Sequence, residues 1–513
     1  MSILFIFLFH FSIIASSIMN PDIFSNYFGP KAENADLLKK LLNQVIDSQS
    51  EWRAGCHPED PSLFPSIPAL PDNLIKELNA LLERSKQNIP FFHPRYSAQM
   101  TKDPTLTAIA GYLTFMLSNP NNHAYEGGPV TTEMEMETTD MLLKMCGYQE
   151  GWGHLASGGS LANTEALWAI RDHYKNDDAI LFSSVCHYSW KRICSILRID
   201  NFREVPADGN FHIDLNYVED FAKKNKTKAV IANLGSTGTG SIDDIESLIH
   251  LKERFGFHLH IDAAYGGFFR STILGETDQL LPWAQTPVPN EYTYRQLIAV
   301  EKSDSITIDP HKQGLISYGA GAVLYKNEAL RNVVLNYAPY TYHMTDKPNI
   351  GMWSFEGSRP GAIAAACYLT YKVYPLNMTG VGKILSYSFA TAAKFYELIS
   401  ESKFYEPLNN PDLDISCFYP VASTNDIASL NEKALKVYHQ YSLEAKEPEY
   451  ILSKFVMPVE LAKQALPEYI NYNNELVTVM RSVFMKHWNA LDDFRYVREL
   501  VKSLEAFASS ALL

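Results

Sequence analysis

A lysine that follows a short polar turn is the residue in this sequence with the clearest capacity for covalent chemistry. Residues 305–312 read SITIDPHK, in which isoleucines alternate with polar residues as in a β-strand. Pro310 lacks an N–H group and ends the ladder, so Lys312 is expected just past the carboxyl end of the strand, where open α/β sheets bind ligands. A lysine there forms a Schiff base when partial burial and a cationic neighbour, here His311, lower its pKa.

A carboxylate in a second motif strengthens this interpretation, because a single lysine is more often a solvated surface residue. Residues 257–267 read FHLHIDAAYGG, and Asp262 falls at the carboxyl end of an alternating apolar segment. A carboxylate in that position can keep a pyridine nitrogen protonated, which makes the ring an electron sink. Ala264 is small enough for a flat ring to lie on. A strand cap followed by a turn fits the same residues.

A glycine-rich segment offers a place for an anion. Residues 157–160 read SGGS and lead into a segment with apolar residues at helical spacing. Glycines allow the backbone to approach a ligand closely, and a helix N-terminus presents N–H groups and the positive end of the helix dipole. An ordinary capped helix is the alternative. The segment lacks the GxGxxG spacing of dinucleotide-binding loops.

Strands that alternate with helices must position these groups. Further strands are predicted at residues 179–184, 228–234 and 319–324. Asp243 or Asp244 is expected to cap a helix. Such alternation indicates an α/β fold with a mostly parallel sheet.

The remaining segments differ in their periodicity. Helices are predicted over residues 34–49 and 73–87, which carry apolar residues at helical spacing. The proline-rich residues 51–71 are expected to be irregular, and residues 275–300 resemble an insertion with few elements. From residue 377 onward a helix, short strands and further helices are expected.

Composition narrows the class of protein. The chain has 513 residues, a size that indicates two or three domains, and a formal net charge of −14. An acidic protein without a basic cluster is not expected to bind nucleic acid or anionic membranes. Its six cysteines are dispersed and form no CxxC pair, which favours free thiols in a reducing compartment over a disulfide framework or a zinc site.

The N-terminal residues 1–19 form an apolar segment of their own. Residues 3–14 are almost wholly apolar and precede small residues, as in a signal peptide, but no Lys or Arg precedes them. A start codon assigned too early is the alternative. A cytoplasmic location is expected, with export or anchoring left open by this segment, and a membrane partner is not expected.

Taken together, residues 262–267 (DAAYGG) and 309–312 (DPHK) resemble the group II pyridoxal-phosphate (PLP) decarboxylases, and within them the bacterial tyrosine decarboxylases. The resemblance runs from about residue 29 to the C-terminus and includes residues 119–122 (NPNN), 129–132 (PVTT) and 375–380 (PLNMTG). It implies PLP as the cofactor, an amino acid as the small-molecule substrate and a homodimer with active sites at the subunit interface.

The resemblance also implies a fold and a division into domains. The fold is the aspartate-aminotransferase-like PLP-transferase fold type I, an α/β fold with a mostly parallel seven-stranded sheet in a large domain and a smaller α+β C-terminal domain. Residues 20–125 are then a helical segment at the dimer interface, residues 126–375 the large PLP-binding domain, and residues 376–513 the small domain.

Specific residues acquire roles through the resemblance. Lys312 bonds to the cofactor, Asp262 contacts its ring nitrogen, and His187 stacks on its ring. Thr237 lies near the ring hydroxyl and the substrate carboxylate, and Ser358 approaches the phosphate from the neighbouring subunit. The other residues expected at the cofactor are Gly159, Ser160, Ala264, Asp309 and His311.

Two departures from the bacterial tyrosine decarboxylases concern the substrate and the final proton. Residues 98–100 read AQM where Gly-His-Met is expected, and Trp353 stands where a proton-donating tyrosine is expected. Relatives close the site with a loop at residues 335–353, so Tyr340 and Tyr342 are the catalytic candidates for protonating the substrate carbon, with His343 as an alternative.

The predicted function is PLP-dependent decarboxylation of an L-amino acid, of aromatic, tyrosine-like type, to the amine and CO2. A PLP-dependent C–C lyase or an aldehyde synthase of the same fold is the alternative, since without a proton donor oxygen would intercept the substrate carbon. A non-catalytic relative of the fold is the third hypothesis. No metal site is expected.

Overall fold

The computed structural model describes residues 21–63, 69–344, 346–421, 426–467 and 471–512. The predicted apolar segment at residues 1–19 lies outside these ranges. Within them, no helix is both long enough and apolar enough to cross a membrane.

Two N-terminal helices lie on the surface of the protein. Helices α1 (Ala35–Gly55) and α2 (Asp72–Ser85) match the two predicted helices, although α1 continues into the segment that was predicted to be irregular. Neither helix contains a buried residue. Helix α2 leaves five large apolar side chains exposed, namely Leu74, Ile75, Leu78, Leu81 and Leu82.

A seven-stranded sheet forms the centre of the protein, in the order β1-β7-β6-β5-β4-β2-β3. Strand β7 is antiparallel to both of its neighbours, while the pairs β6-β5, β5-β4, β4-β2 and β2-β3 are parallel. The mostly parallel seven-stranded sheet is therefore confirmed. The strands are β1 (Trp152–Ala156), β2 (Ala179–Ser183), β3 (Phe202–Val205), β4 (Thr227–Asn233), β5 (His258–Ala263), β6 (Ser305–Ile308) and β7 (Gly321–Tyr325).

Strands β5 and β6 are buried, because neighbouring strands cover their edges and helices cover the faces of the sheet. Their alternation of apolar and polar residues is the pattern of a strand with one solvated face. Here the polar set is buried as well, and His260 and Ser305 are both 0% exposed. Buried polar groups need hydrogen-bond partners, and these lie within the same core.

Helices cover the sheet and fix its loops. They are α3 (Leu106–Met116), α4 (Pro129–Cys146), α5 (Gly159–Tyr174), α6 (Ser189–Ile196), α7 (Leu215–Lys224), α8 (Ile245–Phe255) and α9 (Glu291–Ala299). Asp244, rather than Asp243, caps α8 by accepting from Ser247 N. Residues 275–300 hold a short 3-10 turn (Trp283–Gln285) and helix α9, which Asn290 caps through Thr293 N.

The C-terminal part is built on a separate antiparallel sheet of four strands, in the order β10-β11-β9-β8. Its strands are β8 (Tyr405–Pro407), β9 (Ile415–Pro420), β10 (Ser453–Pro458) and β11 (Leu476–Val483). The helices from residue 361 onward are α10 (Gly361–Val373), α11 (Val381–Ser400), α12 (Ile427–Gln440), α13 (Val459–Ala465) and α14 (Arg495–Ala511). The α+β character of this part is confirmed. The domain boundaries at residues 125 and 375 stay a prediction.

Candidate active site

A cavity of about 350 Å³ lies at the carboxyl ends of β4, β5 and β6, a volume typical of small-molecule sites. Lys312 and Asp262 both line it, so the two chemical groups singled out in the sequence meet in one place. Seven more of the predicted residues line the same cavity: Gly159, Ser160, His187, Thr237, Ala264, Asp309 and His311. Parallel strands bring their carboxyl ends to one edge of the sheet, which explains this convergence.

Lys312 is held by a carboxylate from its own turn. Its Nζ lies 2.9 Å from Asp309 Oδ2. Burial by itself lowers the pKa of Lys312, but the charge and hydrogen bond of Asp309, together with the charge of Asp262, raise that pKa above its ordinary value. The protein alone therefore holds Lys312 as an ammonium group, and the amine must lose a proton before it can attack a carbonyl carbon.

His311 does not act as the expected cationic neighbour. Burial lowers the pKa of its imidazole, and although Asp309 opposes that change the net direction is downward. Its Nδ1 accepts a hydrogen bond from Ala320 N at 3.0 Å, which anchors the ring. The prediction of a lysine pKa lowered by a charged His311 is therefore wrong, because a carboxylate dominates the surroundings of the amine.

Asp262 is a buried carboxylate supported by two side-chain donors. Its Oδ2 accepts from Trp190 Nε1 at 2.8 Å and from Asn163 Nδ2 at 3.0 Å. Its Oδ1 is 3.3 Å from the backbone N of Ala264. Hydrogen bonds from neutral donors favour the charged form of a buried carboxylate. Sequence analysis missed both donors, although Trp190 belongs to the same short motif as His187.

His187 offers a neutral ring at the wall of the cavity. Its Nδ1 lies 2.7 Å from Ser189 Oγ, which fixes the orientation of the ring. Burial lowers the pKa of His187, and Lys312 lowers it further while Asp262 opposes the change. A neutral imidazole can stack on a flat ring without adding charge to the site.

The loop that carries Thr237 is fixed from the C-terminal sheet. Arg481 on β11 donates through Nη2 to Thr237 O at 2.8 Å and through Nε to Gly238 O at 2.9 Å. Arg481 is buried and was missed in the sequence, because nothing in its local pattern connects it with a loop so distant in the chain. The small sheet thus helps to shape the cavity.

The glycines of the SGGS segment allow α5 to begin close against the turn before Lys312. A Cβ atom on Gly159 would lie 2.8 Å from Asp309 Oδ2 and 2.9 Å from the Cβ of Ala264, so a larger residue would displace the helix. The first turn of α5 and the Ser160 side chain therefore reach the cavity. An N-terminal helix turn, a hydroxyl, a primary amine and a buried carboxylate form a donor set that fits PLP.

Three other predicted residues do not line the cavity of their own chain. Ser358 Oγ is 3.3 Å from Asn121 Nδ2. Tyr340 is 84% exposed, whereas Tyr342 is buried with its ring 5.2 Å from that of His123. Roles for Ser358, Tyr340 and Tyr342 at a cofactor would require a neighbouring subunit, and they stay predictions.

The two residues that depart from the tyrosine decarboxylase pattern also lie outside the cavity wall. The ring of Trp353 packs 5.2 Å from that of Trp152, and the guanidinium of Arg331 lies 5.1 Å from it. Trp353 is thus a packing residue. Gln99 is exposed, and only its neighbour Met100 approaches the site, by accepting from Tyr318 OH at 2.8 Å.

Comparison with known families decides the class of this site. Residues 57–420 match the pyridoxal-dependent decarboxylase conserved domain. The chain belongs to this family. It is accordingly a PLP-dependent carboxy-lyase that acts on an amino acid. The group II resemblance seen in the sequence is confirmed.

Relatives of this decarboxylase include L-tyrosine decarboxylases that match over nearly the whole chain. The protein from Enterococcus faecium is 28% identical over 94% of this chain and 98% of the relative. That from Levilactobacillus brevis is 29% identical over 95% of this chain and 96% of the relative. An aspartate 1-decarboxylase from Aliivibrio fischeri is 27% identical over 73% of each chain.

Solved structures share the fold of this decarboxylase. Oryza sativa TDC, crystallised with PLP and tryptamine, superposes with a TM-score of 0.68 at 17% identity, covering 92% of this chain and 98% of the other. Rhodiola rosea 4-hydroxyphenylacetaldehyde synthase gives a TM-score of 0.68 at 17% identity, covering 93% and 98% of the two chains. The predicted fold type is confirmed by these likenesses.

Proposed function

We propose that this decarboxylase acts on aromatic L-amino acids, with tyrosine as the first candidate, and releases the corresponding amine and CO2. The observation that carries the proposal is the lining of the cavity, where Tyr265, Tyr318 and Leu161 supply aromatic and apolar surface. Among the lining residues in the described part of the chain, Lys312 is the one Lys or Arg. An acidic substrate would need a second cation for its side-chain carboxylate.

The residues of the cavity divide the work of the reaction. When bound, PLP supplies an aldehyde carbon that bonds to an amine and a ring that accepts the electron pair left when the carboxylate departs as CO2. Lys312 offers the amine for that carbon, and Asp309 is the adjacent base for its proton. Asp262 supplies the negative charge for a protonated ring nitrogen, and His187 supplies a neutral stacking surface.

The phosphate is assigned to the first turn of α5. Gly159 and Ser160 contribute a helix N-terminus and a hydroxyl at the cavity wall, and Ser358 of a neighbouring subunit is the further donor that we propose. Ala264 leaves room for the ring, and Thr237, fixed by Arg481, is assigned to the ring hydroxyl and the substrate carboxylate.

A panel of amino acids assayed for CO2 release with PLP supplied tests the proposed substrate class. We expect release from tyrosine and weaker release from other aromatic amino acids, because the cavity offers aromatic contacts and no second cation. Aspartate and glutamate are the matched negative substrates. Release from either of these, without release from any aromatic amino acid, would contradict the proposal.

We further propose a homodimer in which α2 packs against a second copy of the chain. Leu78 is 44% exposed and Leu81 is 63% exposed on the same face of this helix. A contiguous apolar face of this kind marks an interaction surface. In the dimer, Ser358 and Tyr340 can act at the cavity of the neighbouring subunit, since neither lines the cavity of its own chain. Residues 20–125 would then be the helical segment that lies at the dimer interface.

Paired substitution of Leu78→Glu and Leu81→Glu is expected to weaken the dimer by about 100-fold or more, since carboxylates would be buried without partners. Light scattering over a range of concentrations measures the mass. Glu77→Gln, on the same helix, is the matched control and should leave the mass unchanged. A double variant that stays as dimeric as the parent would show that α2 is not the interface.

We propose that Tyr340 protonates the substrate carbon. Its side chain is exposed and can reach the cavity of a neighbouring subunit, whereas Tyr342 is packed within its own chain. Tyr340→Phe is expected to lower amine formation by roughly 100-fold, in the range for loss of a general acid. In a fraction of turnovers, O2 would then react with the substrate carbon in place of the proton. In that side reaction the amino acid, O2 and water yield aldehyde, CO2, ammonia and hydrogen peroxide.

Tyr342→Phe is the matched control for this experiment, because it removes a hydroxyl from the same loop without changing the ring. Amine, aldehyde and peroxide are quantified for each variant. If Tyr342→Phe rather than Tyr340→Phe shifts the products toward aldehyde, the proton comes from Tyr342.

A cytoplasmic location is also proposed. All six cysteines are unpaired, and burial raises the pKa of Cys146 and Cys417 to about 12. Thiols that are buried and protonated in this way behave as apolar core residues. Such a set suits a reducing compartment.

A further inference from the structure

A row of buried polar side chains leads from Asp262 across the central strands, and four of its members form what we call the backing chain: His258, Ser305, His260 and Asn163. His258 Nε2 lies 2.8 Å from Ser305 Oγ, which lies 2.8 Å from His260 Nδ1. His260 Nε2 lies 3.3 Å from Asn163 Oδ1, and Asn163 Nδ2 lies 3.0 Å from Asp262 Oδ2. All four members are nearly inaccessible to solvent.

The chemistry of these groups fixes the direction of every hydrogen bond. An ionised Asp262 only accepts, so Asn163 must turn its NH2 group toward the carboxylate and its Oδ1 toward His260. His260 must therefore carry its proton on Nε2. Its bare Nδ1 then accepts the hydroxyl proton of Ser305, whose oxygen is left to accept from His258 Nε2.

Both histidines are neutral, as this assignment requires. Burial lowers the pKa of His258 to about 4 and that of His260 to about 3. A neutral imidazole has one donor and one acceptor, so each of the two rings has one assignment of donor and acceptor within the backing chain. Thr307 Oγ1, at 3.5 Å from His260 Nε2, is a weaker second acceptor for the same proton.

We propose that the backing chain is a one-directional relay of hydrogen bonds that holds the Asp262 carboxylate in place and orients it toward the cofactor. Asn163, His260 and Ser305 are positioning residues in this account. The inference rests on the proposed contact of Asp262 with the ring nitrogen and extends it to His260 and Ser305, which do not line the cavity. Successive donors pointing the same way polarise one another, which strengthens the last bond to the carboxylate.

Asp262 also has ionisable neighbours that act from the other side. The charge of Asp262 acts on the cation Lys312 and on two other titratable groups, His187 and Cys186. Trp190 donates to Oδ2 independently of the backing chain. Loss of the backing chain should therefore weaken the hydrogen bonding to the Asp262 carboxylate without abolishing that hydrogen bonding.

Ser305→Ala tests the relay at a site remote from the cofactor. Without the hydroxyl, His260 loses the bond that fixes its tautomer, and the other tautomer would set its bare Nε2 against Asn163 Oδ1. We expect the dissociation constant for PLP to rise about tenfold. The acid limb of PLP binding should differ from that of the parent, because the carboxylate that meets the ring nitrogen is held less firmly.

Thr307→Val is the matched control, since it removes a buried hydroxyl from the same strand whose contact with the relay is the weaker one of 3.5 Å to His260 Nε2. His260→Phe, which keeps a ring in the middle of the relay but removes both of its hydrogen-bonding nitrogens, should reproduce the effect of Ser305→Ala and replaces it if that variant folds poorly. PLP binding is followed by absorbance titration from acid to neutral pH, with thermal unfolding measured in parallel.

The outcomes separate the inference from the proposed function. If Ser305→Ala and His260→Phe bind PLP like the parent and share its acid limb, the relay does not support Asp262. If Thr307→Val weakens binding as much as Ser305→Ala, the cause is core packing and the inference fails. If Asp262→Asn itself leaves PLP binding unchanged, the proposed role of Asp262 fails as well.

Discussion

Replacing Lys312 with alanine is expected to lower CO2 release by at least about 1,000-fold and to remove the visible absorbance that PLP shows when it is bonded to an amine of the protein. The side chain lies in the cavity, and its amine is the group that can bond to the aldehyde carbon. Loss of both nucleophile and proton carrier should exceed the effect of losing a single acid or base.

Lys312→Arg separates covalent chemistry from charge. Arginine keeps a cation beside Asp309 but forms no Schiff base with an aldehyde, so we expect an inactive protein that remains folded. Lys302→Ala changes an exposed lysine ahead of the same strand and should behave like the parent. An arginine variant with substantial CO2 release would refute the assignment of Lys312.

Asp262→Asn is expected to have the second largest effect, a loss on the order of 100- to 1,000-fold in turnover together with weaker PLP binding. The amide keeps the shape of the side chain and accepts hydrogen bonds, but it carries no charge to stabilise a protonated ring nitrogen. Removing one preorganised electrostatic contact from an active site has consequences of this size. Stopped assays for CO2 and absorbance titration with PLP measure the two quantities separately.

Asp304→Asn is the matched control for Asp262→Asn. Asp304 directly precedes β6, at the amino end of this strand and away from the cavity. Its Oδ1 lies 2.6 Å from Lys252 Nζ. Its amide variant should lose some stability while PLP binding stays at the parental level. Equal loss of binding in the two variants would indicate a general effect on the fold instead of a specific role for Asp262.

The pKa of Lys312 gives the protein a defined starting state. Because Asp309 and Asp262 raise that pKa, the amine enters the reaction protonated, and Asp309 is the group closest to the proton that must leave. A lowered pKa of Lys312 was expected because His311 is its neighbour in the sequence. In the folded protein Asp309 lies 2.9 Å from the amine, the charges of Asp309 and Asp262 raise the pKa of Lys312, and His311 is neutral.

Several features could be predicted from the sequence because they depend on local pattern. The alternation of apolar residues before Asp262 and Lys312 predicted β5 and β6, and the turns after them placed both groups at one edge of a parallel sheet. The glycines before α5 predicted a helix that begins at the cavity. Strand period, proline and glycine act within a few residues, so a single sequence carries them.

The resemblance of short motifs to one enzyme family supplied the cofactor, which local patterns alone left open. The match of residues 57–420 to the pyridoxal-dependent decarboxylase domain confirms it. Individual roles for His187, Thr237 and Ser358 were carried by the same resemblance. The cavity brings the first two together, while Ser358 depends on a second subunit.

Only the tertiary structure decided how the key carboxylate is supported. Trp190 and Asn163 reach Asp262 from two different helices, and Arg481 reaches the Thr237 loop from another sheet. The polar residues of β5 follow the pattern of a strand with one solvated face, yet helices packed on the sheet bury them. Hydrogen bonds between residues far apart in the chain depend on how layers pack, and no periodicity within one segment records that packing.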